Sequence, residues 1–157
     1  MTAKTLPSHL AASTTGSARS SSRRIARSVG AVLAGLLVNV IASSAVDAVL
    51  HATGIYPPVG QRMAGALFLL ALAYRIVFGV AGSYVTARLA PDRPVQHAMG
   101  LGVVGVAIGT AGAVVMWGAG PAWYPLALIA VTLPCAWTGG ALRVKQLRAE
   151  RSSGAAR

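Results

Sequence analysis

The chain has 157 residues, of which 55% are hydrophobic and only 11% charged, with a net charge of +11 at neutral pH and a mean hydropathy of +0.63. A soluble domain carries about 25% charged residues, and eleven of the charges here lie in two tails, Lys4 to Arg27 and Arg143 to Arg157. The six that remain, from Asp47 to Arg93, are too few to coat a water-facing surface; this excludes an ordinary soluble enzyme, a disordered chain and, with Cys135 as the only cysteine, a disulfide-stapled module.

Residues 1–28 are rich in Ser, Thr and Arg, hold no acid and show no apolar period. Such a segment lacks the surface to offset its ordering entropy and is predicted disordered. Ser22-Arg23-Arg24 ahead of an apolar run has the form of a twin-arginine signal, but Ile25-Ala26-Arg27 lacks the aromatic or leucine that usually follows. Cleavage after Ala45 would also leave only three spans and turn a positive loop outward. An acid-free Arg- and Ser-rich start is equally the form of a mitochondrial transit peptide, whereas twelve arginines against two lysines with abundant Ala and Gly suit a GC-rich bacterial genome.

Four apolar blocks follow, at about 29–51, 63–87, 97–117 and 122–142. Each is long enough, at about 1.5 Å per residue, to cross roughly 30 Å of hydrocarbon as a helix. Only helices let such blocks satisfy their own backbone hydrogen bonds in lipid. The breaks are Gly54-Ile55-Tyr56-Pro57-Pro58, the turn Pro91-Asp92-Arg93-Pro94 and the short hairpin Gly118-Ala119-Gly120-Pro121. Residues 143–157 form a basic C-terminal tail whose first part prolongs the fourth helix. The expected fold is an all-α membrane protein, a bundle of four transmembrane helices.

With the N-terminus cytoplasmic, twelve Lys and Arg fall on the inner side, against Arg62 alone outside and Arg75 within a span. That asymmetry predicts both termini in the cytoplasm of a bacterial inner-membrane protein. Tyr56, Trp117, Trp123 and Tyr124 are then expected to gather at the outer interface. The basic tails suit anionic lipid headgroups; they carry no recognition motif, so nucleic acid is not an expected partner.

Ionisable residues inside spans are costly without a partner, which singles out Asp47 and Arg75. Asn39, Ser43, Asp47 and His51 recur every four residues and form a polar stripe on helix one. Arg75 lies near mid-span on helix two, followed by the small-residue face Gly79, Gly82, Ser83 and Thr86, and its long stem can reach outward to Asp47. The two charges are either an ion pair that fixes helix packing or the lining of a polar cavity. Asp47 and His51 supply only half of a metal site, with His9 and His97 elsewhere, so no metal is expected.

Gly100-Leu101-Gly102-Val103-Val104-Gly105 matches the dinucleotide fingerprint in letters, but no strand precedes it and it lies in a span. Gly102, Gly105, Gly109 and Gly112 instead make a seam for close approach of another helix. Pro134 is expected to bend helix four and free the carbonyl near Ala130, for Thr132 or Thr138 to satisfy.

Asp47 with His51, Tyr56-Pro57-Pro58, Ala73-Tyr74-Arg75, Thr86-Ala87-Arg88-Leu89-Ala90-Pro91, Gly120-Pro121-Ala122-Trp123-Tyr124-Pro125 and Leu133-Pro134-Cys135-Ala136-Trp137 together resemble a family of small four-span bacterial membrane proteins of unassigned function. The resemblance covers about residues 29–143; it implies the topology and brings no activity with it. The sequence leads to a non-enzymatic structural or accessory membrane protein, without cofactor or catalytic residues, whose partners are the bilayer and a second copy or another membrane protein. A small oligomeric transporter or channel, using the helix-one stripe and Arg75, is the alternative.

Overall fold

The computed structural model describes residues 9–58, 60–118 and 120–154, with side chains from residue 22 onward. They form four helices and no strand: α1 (His9–Ala52), α2 (Gly65–Leu89), α3 (Pro94–Val115) and α4 (Trp123–Gly154). All four are long and apolar enough to cross a membrane. Large apolar side chains point outward, among them Leu37, Ile41, Leu69, Val77, Val103 and Leu126, each more than half exposed. A surface of that kind suits lipid and not water.

Turn chemistry sets the helix ends. Gly54, Gly60 and Gly118 have φ of 75°, 92° and 95°, left-handed values that glycine adopts without strain. α3 starts at Pro94, where a missing N–H costs nothing, so the helix begins a turn earlier than the apolar block. α1 differs more. Its helical backbone begins at His9, so residues 9–28, expected to be disordered, continue the helix. No proline interrupts them, alanines and arginine favour helix, and an existing helix extends one hydrogen bond at a time. Residues 1–8 and 155–157 of the two predicted tails lie outside the described residues.

α2 is the central helix and packs on the other three, while α3 packs chiefly on α4. α1 leans on α2 and, less, on α3; among the described residues it makes no close backbone approach to α4. The buried residues are nearly all small, including Ala71, Ala98, Ala136, Gly82, Ser83 and Thr86. Small residues at crossings are what packing in lipid selects, because lipid offers no hydrophobic drive between helices and packing there depends on backbones coming close. A Cβ at Gly82 would stand 2.5 Å from the Gly35 carbonyl oxygen, and one at Gly139 would stand 2.6 Å from that of Val80. These two points are where α1 and α4 cross α2.

Contacts at the end holding Leu89 and Pro94 are polar. His97 Nε2 shares a 2.8 Å hydrogen bond with Ser28 Oγ, and Arg24 lies 3.9 Å from Asp92. Pro134 sits inside α4, but neither threonine goes to Ala130. Thr132 donates to Leu128 O at 2.7 Å and Thr138 to Pro134 O at 2.8 Å. Each hydroxyl bonds the carbonyl one turn back on its own helix, the partner that a helical threonine meets first.

Candidate functional site

The structure brings Asp47 and Arg75 together. Arg75 Nη2 donates to Asp47 Oδ2 at 2.7 Å, with about 30% of each side chain accessible. The other carboxylate oxygen, Oδ1, accepts from Tyr74 OH, and Arg75 Nη1 donates to Tyr124 OH. Tyr74 OH also shares a 3.4 Å contact with Tyr56 OH, and the Arg75 guanidinium lies 5.4 Å from the Tyr74 ring centre. The cluster therefore joins α1, α2, α4 and the loop after α1. Burying a charge is costly without a partner, and here each charge has a counter-charge and a hydroxyl.

The polar stripe of α1 divides. Asn39, Ser43 and Asp47 line a cavity of about 340 Å³ together with Ser44, Arg75 and Ser83. All four helices line the cavity, α3 through Gly102, Gly105 and Gly109 and α4 through Thr132 and Cys135 among others. Asn39 Oδ1 is buried with no hydrogen-bond partner, an acceptor that water in the cavity would satisfy. His51 stands apart: its Nδ1 donates to the Asp47 backbone oxygen at 2.8 Å, and its ring meets Tyr56 edge-on at 5.3 Å. Thus the histidine is tied to the peptide of Asp47 and not to its carboxylate. Among the described residues, no three His, Cys, Asp or Glu side chains are grouped as a metal would need.

The glycine seam faces α4 and opens progressively. A Cβ at Gly102 would lie 2.7 Å from Ala136 Cβ, at Gly105 2.9 Å from Thr132 Cγ2, and at Gly109 3.6 Å from Ile129 Cγ1; at Gly112 it would meet nothing within 4 Å. There the helices part around a second cavity of about 740 Å³, lined by Gly109, Gly112, Phe68, Trp117, Tyr124 and Arg75 among others. The small face of α2 is likewise shared, Gly82 meeting α1 at Gly35 while Gly79 meets Cys135 of α4.

The tyrosines correct the expected aromatic belt. Trp117 and Trp123 are 61% and 40% exposed, as interfacial indoles would be, but Tyr56 is only 4% exposed and donates to Leu67 O, and Tyr124 turns inward to Arg75. A buried phenol needs a partner, and the charge pair supplies two of the three tyrosines with one. The available signal was Tyr74 adjoining Arg75 in sequence. Tyr124→Phe keeps the ring against Phe68, whose centre is 5.0 Å away, and removes one charge-assisted hydrogen bond. The expected loss is about 1.5 kcal/mol in detergent unfolding, with Tyr84→Phe, whose OH bonds Gln146 at an exposed site, losing less.

Comparisons with family profiles, curated proteins and solved structures return no match to this chain.

Proposed function

We propose that the chain is a non-enzymatic, multi-pass protein of a bacterial inner membrane, a scaffold or accessory subunit with both termini in the cytoplasm. The observation that supports this best is the closure of the Asp47–Arg75 cluster: both carboxylate oxygens are engaged from within the bundle. A carboxylate so held serves packing in the first place. The orientation rests on the excess of Lys and Arg at the end that holds both termini and the α2–α3 turn. Arg23, Arg24, Arg27, Arg88, Arg93, Lys145, Arg148 and Arg151 at that end suit anionic headgroups, and a second copy or another membrane protein would cover part of the apolar perimeter.

One observation favours a second reading, a small transporter or channel. The two cavities share Arg75, Gly109 and Leu128 as walls, so movement of the Arg75 side chain would join them into one route. Proteoliposome flux separates the readings. Under the scaffold reading, vesicles carrying the purified protein dissipate a proton or small-ion gradient no faster than protein-free vesicles. A gradient that collapses faster, and is restored when Leu128→Trp plugs the shared wall, overturns it in favour of the transporter.

A further inference from the structure

The larger cavity lies between the Gly65, Val115 and Trp123 ends of α2, α3 and α4, and its volume of about 740 Å³ falls within the range of small-molecule sites, about 300–1,000 Å³. Its walls are apolar and aromatic: Phe68, Ile108, Met116, Trp117 and Leu128. Ile108, Met116 and Trp117 are each more than half exposed, so the mouth faces the lipid side of the bundle. Arg75 and Tyr124 also line it.

Arg75 is not saturated. A guanidinium carries more N–H donors than the two side-chain hydrogen bonds it makes among the described residues, to Asp47 and Tyr124. The remaining donors belong to a side chain that is 31% accessible and lines both cavities. Yet its charge is already cancelled by Asp47. An anion seated on it would leave the cluster with a net negative charge in a low-dielectric setting, which is costly. A neutral acceptor would use the spare donors and add no charge. Aromatic walls, a lipid-facing mouth and a donor without net charge select a flat, lipophilic molecule ending in a carbonyl.

We propose that this cavity binds a neutral lipophilic carbonyl compound of the quinone class, which enters from the bilayer and places a carbonyl oxygen on Arg75. The site goes beyond the scaffold reading but shares Arg75 and Tyr124 with the charge cluster; the variant that tests it, at Gly112, lies outside that cluster, so the two readings fail in different experiments.

The test is a titration of the detergent-solubilised full chain with a decyl-substituted benzoquinone. Trp117 and Trp123 fluorescence is followed in a Trp137→Phe background, and thermal stability is followed in parallel. Saturable quenching and a raised Tm are expected. Decylbenzene, which lacks the carbonyl, and decanoate, which carries a charge, should each bind at least about tenfold more weakly. Gly112→Leu, whose side chain enters open space, should weaken the quinone by a similar factor while the ligand-free Tm stays at the wild-type value. Quenching that rises without saturation, or equal response to decylbenzene or decanoate, overturns the proposal. So does undiminished binding by a folded Gly112→Leu. If that variant does not fold, the three-probe comparison on the unsubstituted Gly112 protein decides alone.

Discussion

Asp47→Asn is expected to destabilise the detergent-solubilised protein by about 3 kcal/mol, and Arg75→Gln by about 2 kcal/mol, while the double variant loses less than the sum. Removing one member of a buried pair costs about 3–5 kcal/mol; the figures are set lower because roughly 30% of each side chain is accessible. The order follows from chemistry. In Asp47→Asn the guanidinium stays charged, since arginine cannot shed its proton, and keeps only Tyr124 and a neutral amide. In Arg75→Gln the carboxylate retains the Tyr74 hydroxyl and has only two oxygens to satisfy, against the larger set of N–H donors that the guanidinium presents. A thermal-unfolding double-mutant cycle should give a coupling of about 1–3 kcal/mol. Additive singles, or singles as stable as the wild type, would mean that these charges do not hold the bundle and would remove the main support for the scaffold reading.

Two glycine-to-alanine changes should diverge sharply. At Gly82 the new Cβ would lie 2.5 Å from the Gly35 carbonyl oxygen and 3.2 Å from Asn39 Cβ. The first of these is backbone and cannot rotate aside, so α1 must move away from α2. Overpacking of this kind costs about 3 kcal/mol, and the shift also pulls Asp47 from Arg75, so the loss should be accompanied by dimerised or aggregated protein. At Gly112 nothing stands within 4 Å, and alanine removes backbone freedom from the unfolded helix; the expected change is neutral to about 1 kcal/mol stabilising. Size-exclusion profile and Tm of the two variants, side by side, check both. A Gly82→Ala protein with the wild-type Tm would show that the helix crossing yields more easily than its geometry indicates.

The spans were legible because composition and backbone physics act together: long blocks without charge can only be helices in lipid. Their partnering was legible only in part. Asp47 and Arg75 could be matched because ionisable groups are rare in a span and few candidates exist. Gly35 could not be singled out in the same way, since one glycine among 18 says nothing of which helix it meets. The crossing with Gly82 is a property of two surfaces fitted together. Tyr56 and Tyr124 misled for a related reason. Near a span end a tyrosine suits the interface or an inward polar partner equally, and the choice depends on where Arg75 reaches. The helical start of α1 escaped notice because propensity is a weak signal beside the strong disorder signature of a basic, serine-rich run.

The bond between α1 and α2 also has a consequence for biosynthesis. Its two charges are 28 residues apart in the chain, and at about 5–20 residues per second the ribosome takes roughly 1–6 s to add the second after the first. A lone Arg at the centre of a helix opposes insertion by about 3 kcal/mol; Asp47, nearer the end of its span, opposes it by less, and α1 carries Asn39 and Ser43 as well. Entry of α1 and α2 as one hairpin, with Arg75 already on Asp47, avoids presenting either charge alone to lipid. The contact that locks the finished bundle would then also time its delivery, keeping the first helix at the translocon until the second arrives.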